Sequence, residues 1–228
     1  MTTSGPRFTL DDSAADPDAD IWFAEPAGFT AIPLAALLNP ATSPAANSPV
    51  REALAPLLDA APDDVVRQQF VARLAAAHQL LTYLCEAGTV HCSIGLHQDD
   101  ATEDRTPRPT APLLSLLTLA WRQTATAPPA ITAARAVTAA EHHDRIEYLD
   151  LPCGPVTLSE AVRTPTPGSG LPPDPLLQVH AHLPHPDGKR LAVLTLSTTA
   201  VERRDDYRRL LHQVAELVSF ENPVAGSE

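Results

Sequence analysis

Residues 178–220 read QVHAHLPHPDGKRLAVLTLSTTAVERRDDYRRLLHQVAELVSF, and this stretch decides the fold. Residues 178–183 alternate polar and apolar side chains, which is typical of a strand with one buried face. Residues 184–188 contain two prolines, an aspartate and a glycine, and therefore predict a turn. Residues 190–198 are more apolar and predict a second strand, so the sequence indicates a β-hairpin.

A closing amphipathic helix is predicted directly after this hairpin, over residues 200–219. Thr199 and Glu202 have the spacing of a capping box, in which a hydroxyl and a carboxylate each accept a backbone N–H at a helix start. Apolar side chains then recur every three or four residues, which predicts one buried side. The members of this stripe are Val201, Tyr207, Leu210, Leu211, Val214, Leu217 and Val218.

The composition indicates a folded protein and excludes several classes of partner. The chain has 228 residues, 44% of them apolar, and a formal charge of −12. Nucleic acids and anionic membranes bind proteins that carry concentrated positive charge. Because this chain is strongly negative, neither is expected as a partner. No stretch approaches the roughly 20 apolar residues that cross a bilayer, and the acidic N-terminus lacks the features of a secretory signal. Cys85, Cys92 and Cys153 form no disulfide framework, so we expect a cytoplasmic protein.

The rest of the chain predicts a single domain between two tails. Residues 1–19 are polar and rich in aspartate, and predict a mobile acidic tail; residues 222–228 form the tail at the other end. Residues 49–87 contain two helical patterns and predict a helical pair. Residues 89–198 contain mostly strand patterns, with runs of alternating side chains and turn residues between them. The sequence therefore predicts an α+β domain over residues 20–221, with a mostly antiparallel sheet.

Residues 128–143 fit two different structures. Their alanine content favours a helix, whereas Ile131, Thr132, Val137 and Thr138 would also suit a strand. The sequence leaves both readings open at this point.

The layout as a whole is similar to that of a known family. The stretches that carry the similarity are Trp22-Phe23 with Pro26-Ala27-Gly28-Phe29, the turn at Asp187-Gly188, and the helix ending in Val218-Ser219-Phe220. Together they resemble the PsbP-like fold family, which includes the photosystem II extrinsic protein, small bacterial relatives and a nuclear-transport factor that binds a small GTPase. The resemblance covers the first strand and the C-terminal hairpin with its helix, and the helical pair has no counterpart in it. It implies a binding or assembly module, because the family is mostly non-catalytic. The chain also resembles single-domain proteins of high-GC bacteria, with fifteen arginines against one lysine.

Histidine is the residue type that most suggests a site. Alternation places His180 and His182 on one face of their strand, and two imidazoles about 7 Å apart on one face can share a zinc or iron ion. His91 and His97 lie on the polar face of another predicted strand. If the two strands were neighbours, these four side chains would converge on one metal ion.

A plainer reading of the same histidines is that they are polar residues of half-exposed strands. The sequence shows no third ligand at a fixed distance and no supporting acceptor for the rings. His142 and His143 are further candidates for such a cluster, and a pH-sensitive group of histidines is another alternative.

The sequence contains no catalytic motif, neither a nucleophile elbow nor a nucleotide-binding fingerprint. We therefore predict a non-catalytic protein-interaction or assembly module without a cofactor, acting on an unknown protein partner. One alternative is a metal-binding protein or metal-dependent enzyme that uses the histidines. Another is a small-molecule-binding module that holds its ligand between sheet and helical pair, lined by Trp22 and Trp121. Core packing is the competing interpretation of both tryptophans.

Overall fold

The structure is a computed structural model that describes residues 8–10, 20–32, 34, 55, 64, 68, 88–97, 113–138, 143–164 and 174–222. Its strands are β1 (Phe8–Leu10), β2 (Ala24–Pro26), β3 (Phe29–Ala31), β4 (Thr89–His97), β5 (Leu113–Gln123), β6 (Asp144–Leu151), β7 (Gly154–Arg163), β8 (Leu176–Pro184) and β9 (Arg190–Thr198). The helices whose bounds lie within the described residues are α1 (Pro129–Thr138), a 3₁₀ turn (Val201–Arg203) and α2 (Arg204–Glu216).

Seven of these strands form one antiparallel sheet in the order β3-β4-β5-β9-β8-β7-β6, while β1 pairs with β2 in a separate two-stranded sheet. The chain therefore crosses from β5 to β6 at the far edge and returns strand by strand to β9, which closes against β5. An α+β fold with a mostly antiparallel sheet and a C-terminal helix is confirmed.

The predicted hairpin is formed by β8 and β9, which pair from Leu177 opposite Thr198 to Pro184 opposite Leu191. At the turn, the Asp187 carboxylate accepts the backbone N–H of Lys189 at 2.7 Å and that of Arg190 at 3.2 Å. The aspartate thus satisfies backbone groups that the tight turn leaves without strand partners.

The two faces of the sheet have different characters. We call one the helix face, defined by Leu177, Val179, Ala181 and Leu183 of β8, which pack with α2 in one core. The opposite, or histidine face, carries His180 of the same strand, because successive side chains alternate across a sheet. The core on the helix face also contains Ile21, Phe23, Leu117, Leu119, Val156, Leu158, Leu194, Leu196, Tyr207, Leu211 and Val214.

Helix α1 resolves the ambiguity in favour of a helix over residues 129–138; residues 139–142 lie outside the described part of the chain. The Pro128 carbonyl accepts the N–H of Ile131 at 2.9 Å and of Thr132 at 3.1 Å, which starts the helix. The hydroxyl of Thr157 on β7 donates to the Ala133 carbonyl at 2.9 Å. Because Thr157 lies opposite His182 in the β7–β8 register, α1 lies on the histidine face.

The predicted capping box at Thr199 and Glu202 is wrong, since neither the 3₁₀ turn nor α2 has a side-chain cap at its N-cap residue. Local bonds replace it: the Ala200 N–H donates to the Thr198 hydroxyl at 3.2 Å, and the Arg203 N–H donates to the Ala200 carbonyl at 3.1 Å. The 3₁₀ turn thereby satisfies its own backbone, and the helix proper begins only at residue 204.

Most of the predicted helical pair at residues 49–87 lies outside the described residues. Within that range the structure describes Ala55, Asp64 and Gln68, which are all helical. The pair therefore stays a prediction, as does the tail at residues 222–228. Within the predicted tail at residues 1–19, the structure describes Phe8–Leu10 as strand β1, which pairs with β2.

Candidate functional site

Three histidines form a compact cluster on the histidine face. His180 and His182 come from β8, and His143 comes from the residue directly before β6. The ring centroid of His143 lies 5.1 Å from that of His180 and 5.8 Å from that of His182, and the centroids of the two β8 rings are 6.0 Å apart. We call these three residues the histidine cluster.

Each ring of the cluster is held to the sheet through its Nδ1 atom. His143 Nδ1 lies 2.7 Å from the Ser159 hydroxyl, and His180 Nδ1 lies 3.0 Å from the Thr195 hydroxyl. His182 Nδ1 donates to the Thr157 carbonyl over 3.4 Å. A carbonyl can only accept a hydrogen bond, so His182 carries its proton on Nδ1 and presents a lone pair at Nε2.

The Nε2 atom of His180 is the unusual group in this cluster. It is buried and has no hydrogen-bond partner among the residues that the structure describes. A buried polar atom without a partner costs free energy, which calls for a compensating ligand, water or function.

Burial keeps the histidine cluster uncharged. It lowers the pKa of His180 to about 3, and the neighbouring rings of His182 and His143 act in the same direction. Burial also lowers the pKa of His182 to about 4. The pKa of His143 is lowered by burial first and by the nearby Arg163 guanidinium second. All three rings are therefore neutral at pH 7.

Neutral imidazoles with free Nε2 lone pairs can accept hydrogen bonds or bind transition metals. Hydrogen bonds from the opposite ring nitrogen are also the arrangement that supports histidine ligands in metal sites. In the described part of the chain, however, no group of three or more His, Cys, Asp or Glu side chains is placed to hold a metal ion. A zinc or iron ion would thus require the rings to turn.

The histidines named from the sequence do not all come together. β4 is separated from β8 by β5 and β9, so the two histidine-bearing strands are not neighbours. His91 lies on the helix face, where its Nε2 is 2.7 Å from Glu25 Oε1 and its ring packs edge-on against Phe23. The backbone of His97 pairs with Leu113 at the other end of β4; its side chain lies outside the described residues, as does the whole of His142.

Both tryptophans are packed against residues of their own chain. Trp22 is buried, and its backbone exchanges hydrogen bonds of 2.8 and 2.9 Å with Ser219 after α2. Trp121 is half-buried; the Arg190 guanidinium lies 5.0 Å from its ring centroid, and Phe220 and His185 pack beside it. A ligand-lining role for either residue stays a prediction.

The two cysteines that the structure describes, Cys92 and Cys153, are buried and half-buried respectively. Cys92 is fully buried. Cys153 is half-buried at the β6–β7 turn, where burial raises the pKa of its thiol and so disfavours the reactive thiolate. Cys85 lies outside the described residues.

A second feature is strand β6, which forms one edge of the sheet; among the described strands its one partner is β7. Six of its eight residues are exposed, including Ile146 at 42% and Tyr148 at 60%. A bulge between Asp144 and Glu147 interrupts its pairing with β7, whereas pairing is regular from Glu147 to Leu151.

Ion pairs fasten β6 and β7 to α2 on the helix face. Arg208 donates to Glu147 at 3.0 Å, and Arg145 bonds to Asp205. The buried carboxylate of Glu160 lies 3.6 Å from Arg208, close enough for attraction but beyond a hydrogen bond. The charged groups of β6 on this side are therefore engaged within the chain.

Sequence reasoning missed the position of His143, which completes the cluster. A signal existed, because strands that follow one another in sequence usually lie side by side in a sheet. That rule brings the start of β6 near β8. The position of His143 was not predicted, because residues 128–143 fitted both a helix and a strand.

Comparison with protein-family models and with curated proteins found no match to this chain. None of the helices in the described ranges has the length and apolar character needed to cross a membrane.

Proposed function

We propose that this chain is a non-catalytic protein-interaction module, in which the exposed edge of β6 pairs with an extended segment of a partner protein. The observation that carries the proposal is the exposure of β6 at the edge of the sheet. Each of β4, β5, β7, β8 and β9 has a strand on both sides, whereas β6 has one side free among the described residues. A free strand edge presents a row of unpaired N–H and C=O groups, which an extended peptide can complete.

The side chains of β6 favour a partner over plain solvent. Ile146 and Tyr148 expose apolar surface at the edge, where proteins that avoid such pairing usually place lysine or proline. The bulge and the engaged Arg145 and Glu147 restrict access to the N-terminal half of the strand. Residues 148–151 are regular and form the accessible part.

Charge complementarity selects the class of partner segment. Asp150 is exposed within the accessible part of β6, and the chain as a whole carries a formal charge of −12. A basic segment would be attracted to this edge, and an acidic one repelled. We therefore expect an extended segment with alternating apolar and Lys or Arg side chains.

Synthetic peptides test this proposal directly. Labelled peptides of about nine residues that alternate Val with Lys should bind, measured by fluorescence anisotropy, and Val–Glu peptides should not. Tyr148→Ser should weaken binding by about tenfold or more, because it removes the largest exposed apolar contact at the edge. Val90→Ser is the matched control, since Val90 is an exposed apolar strand residue on β4.

Hydrogen exchange locates the peptide. Bound peptide should protect the backbone amides of residues 148–151 and leave those of β4 unchanged. Equal binding of Val–Lys peptide to the Tyr148→Ser protein, or protection elsewhere only, would reject β6 as the docking strand. The PsbP-like resemblance, which implies the same class of function, stays a prediction.

A second candidate function is binding of a metal ion or small molecule at the histidine cluster. It is supported by one observation, the buried Nε2 of His180 without a partner in the described residues. Protein purified without a histidine tag should then contain zinc or iron by elemental analysis, and His180→Ala should lose it. Metal-free protein from cells supplied with both metals would remove the metal alternative.

A further inference from the structure

Alternate residues of β6 offer their backbone groups to the free edge of the sheet. In an antiparallel pair of strands, opposed residues that exchange two hydrogen bonds alternate with opposed residues that exchange none. Asp150 lies opposite Pro155 of β7, and a proline has no N–H to exchange. Asp150 and Pro155 are therefore a pair without hydrogen bonds, and so are Tyr148 and Thr157, two residues away. The N–H and C=O groups of Tyr148 and Asp150 thus point away from β7, toward the free edge.

The regular part of β6 is bounded at both ends. The bulge after Asp144 contains Arg145, whose φ angle of 49° is left-handed and turns the strand out of its regular course. The Arg145 guanidinium bonds to Asp205 on α2, which holds this bend in place. At the other end, the β6–β7 turn begins at Pro152. Residues 147–151 are therefore the part of β6 that can pair regularly with another strand.

The two faces of residues 147–151 differ in character. Tyr148 lies opposite Thr157, so Tyr148 and Asp150 both stand on the histidine face, where their side chains are exposed. Leu149 and Leu151 are half-buried on the helix face, where they pack against the core. A segment added at this edge would extend that core with one set of its side chains, and its other set would meet an aromatic ring and a carboxylate.

We infer that residues 147–151 bind a five-residue segment in antiparallel orientation, with apolar side chains on the helix face and a lysine or arginine opposite Asp150. Resting on the proposed function of β6, this arrangement adds the direction, the register and the side-chain order of the segment. Antiparallel pairing is favoured because it is more stable per residue and continues the pattern of the neighbouring strands. From its N-terminus, the segment places an apolar residue opposite Leu151, the basic residue opposite Asp150 and an apolar residue opposite Leu149. A β-branched residue suits the position opposite Tyr148, because β-branched and aromatic side chains pack well across strands.

Asp150 decides which position of the segment carries the positive charge. Opposite charges directly across two strands attract, whereas like charges there repel. Glu147 does not compete for this cation, because it faces the other side of the sheet and accepts a hydrogen bond from Arg208 at 3.0 Å. The net charge of the chain attracts a basic segment to the edge, and Asp150 fixes its register.

Hydrogen exchange of the unmodified chain tests the assignment of the backbone groups. Without peptide, the amides of Leu149 and Leu151 should exchange at least about tenfold more slowly than those of Tyr148 and Asp150, because only the former bond to β7. Bound peptide should slow the amides of Tyr148 and Asp150 most. The opposite alternation in the free chain would overturn the register.

Two peptides of identical composition test the direction of the segment. Nine-residue peptides carry the core Val-Lys-Val-Thr-Val or its reverse, Val-Thr-Val-Lys-Val, between Gly and Ser residues. The first should bind about threefold more tightly by fluorescence anisotropy, because its lysine faces Asp150. Asp150→Lys should favour Val-Glu-Val-Thr-Val over Val-Lys-Val-Thr-Val by about tenfold. Glu202→Lys makes the same charge change at an exposed residue of the 3₁₀ turn and should keep the preferences of the unmodified chain.

The outcomes distinguish this arrangement from the proposed function itself. Equal binding of the two cores, or tighter binding of the reversed one, would overturn the arrangement but leave β6 as the docking strand, provided that protection stays within residues 148–151. A preference for lysine that persists in Asp150→Lys would likewise overturn the role of Asp150. Binding of neither peptide, or protection only elsewhere, would overturn both proposals.

Discussion

The two faces of the central sheet are built from the same strands but follow different rules. On the helix face, Leu177, Val179, Leu194 and Leu196 are almost completely buried against α2. On the histidine face, the alternate residues of β8 and β9 are mostly polar and half-buried. The comparison indicates that the helix face supplies most of the folding free energy, which allows the histidine face to hold polar groups that cost stability.

Removal of a large side chain from each face should expose this difference most strongly. Leu211→Ala in α2 should lower the free energy of unfolding by about 3 kcal/mol, because Leu211 is fully buried and leaves a cavity. Leu116→Ala on the histidine face should cost about 1 kcal/mol, because this residue is only half-buried. Urea denaturation of both variants measures the two values, and equal losses would contradict the proposed division between the faces.

The buried ion pair at the rim of the helix face is the next test. Arg208→Leu should cost about 2–3 kcal/mol, because the Glu160 carboxylate, buried at 2% exposure, then loses the guanidinium 3.6 Å away and keeps the one of Arg204 at 3.5 Å. A Glu160→Leu, Arg208→Leu double variant should recover most of that loss, since both charges are then absent. Denaturation curves for the single and double variants decide, and a double variant less stable than Arg208→Leu would show that the pair is strongly stabilising.

A change on the histidine face should have the smallest effect. Thr195→Val removes the hydroxyl that lies beside His180 Nδ1 and should lower the free energy of unfolding by about 1 kcal/mol. The His180 ring proton resonances should also shift, because its anchoring contact is gone. Ser197→Val, a change of the same kind on the same face of β9 without a described ring contact, serves as the control. A larger loss for Ser197→Val would show that the Thr195 contact does not hold the ring.

The strands that the sequence predicted best are those with strong local signals. β9 begins and ends at the predicted residues 190 and 198, because an alternating apolar run is bounded by a turn and by a helix start. β4 occupies residues 89–97, where the sequence alternates, but its burial does not follow that alternation: Val90 is 56% exposed, whereas Ser93 is fully buried. Such patterns depend only on neighbouring residues, so no knowledge of the tertiary structure was needed.

The candidate site was less accessible to prediction because it depends on strand order. Alternation correctly placed His180 and His182 on one face of the sheet. It could not show that His91 lies on the opposite face, on a strand that two other strands separate from β8. The capping box predicted at Thr199 was wrong for a related reason. The sequence pattern is present, but the chain forms a 3₁₀ turn at this point instead of a helix start with a side-chain cap. Tertiary context decided both cases.

The pairing of β5 with β9 has a consequence for the way the chain folds. Gln123 on β5 pairs with Arg190 on β9, and all of α1, β6, β7 and β8 lies between them in sequence. The strands from β6 to β9 can form by successive local hairpins, whereas the β5–β9 seam must close a long loop and loses more chain entropy. We expect this seam to form late during folding, so that a meander of β6–β9 precedes the complete sheet.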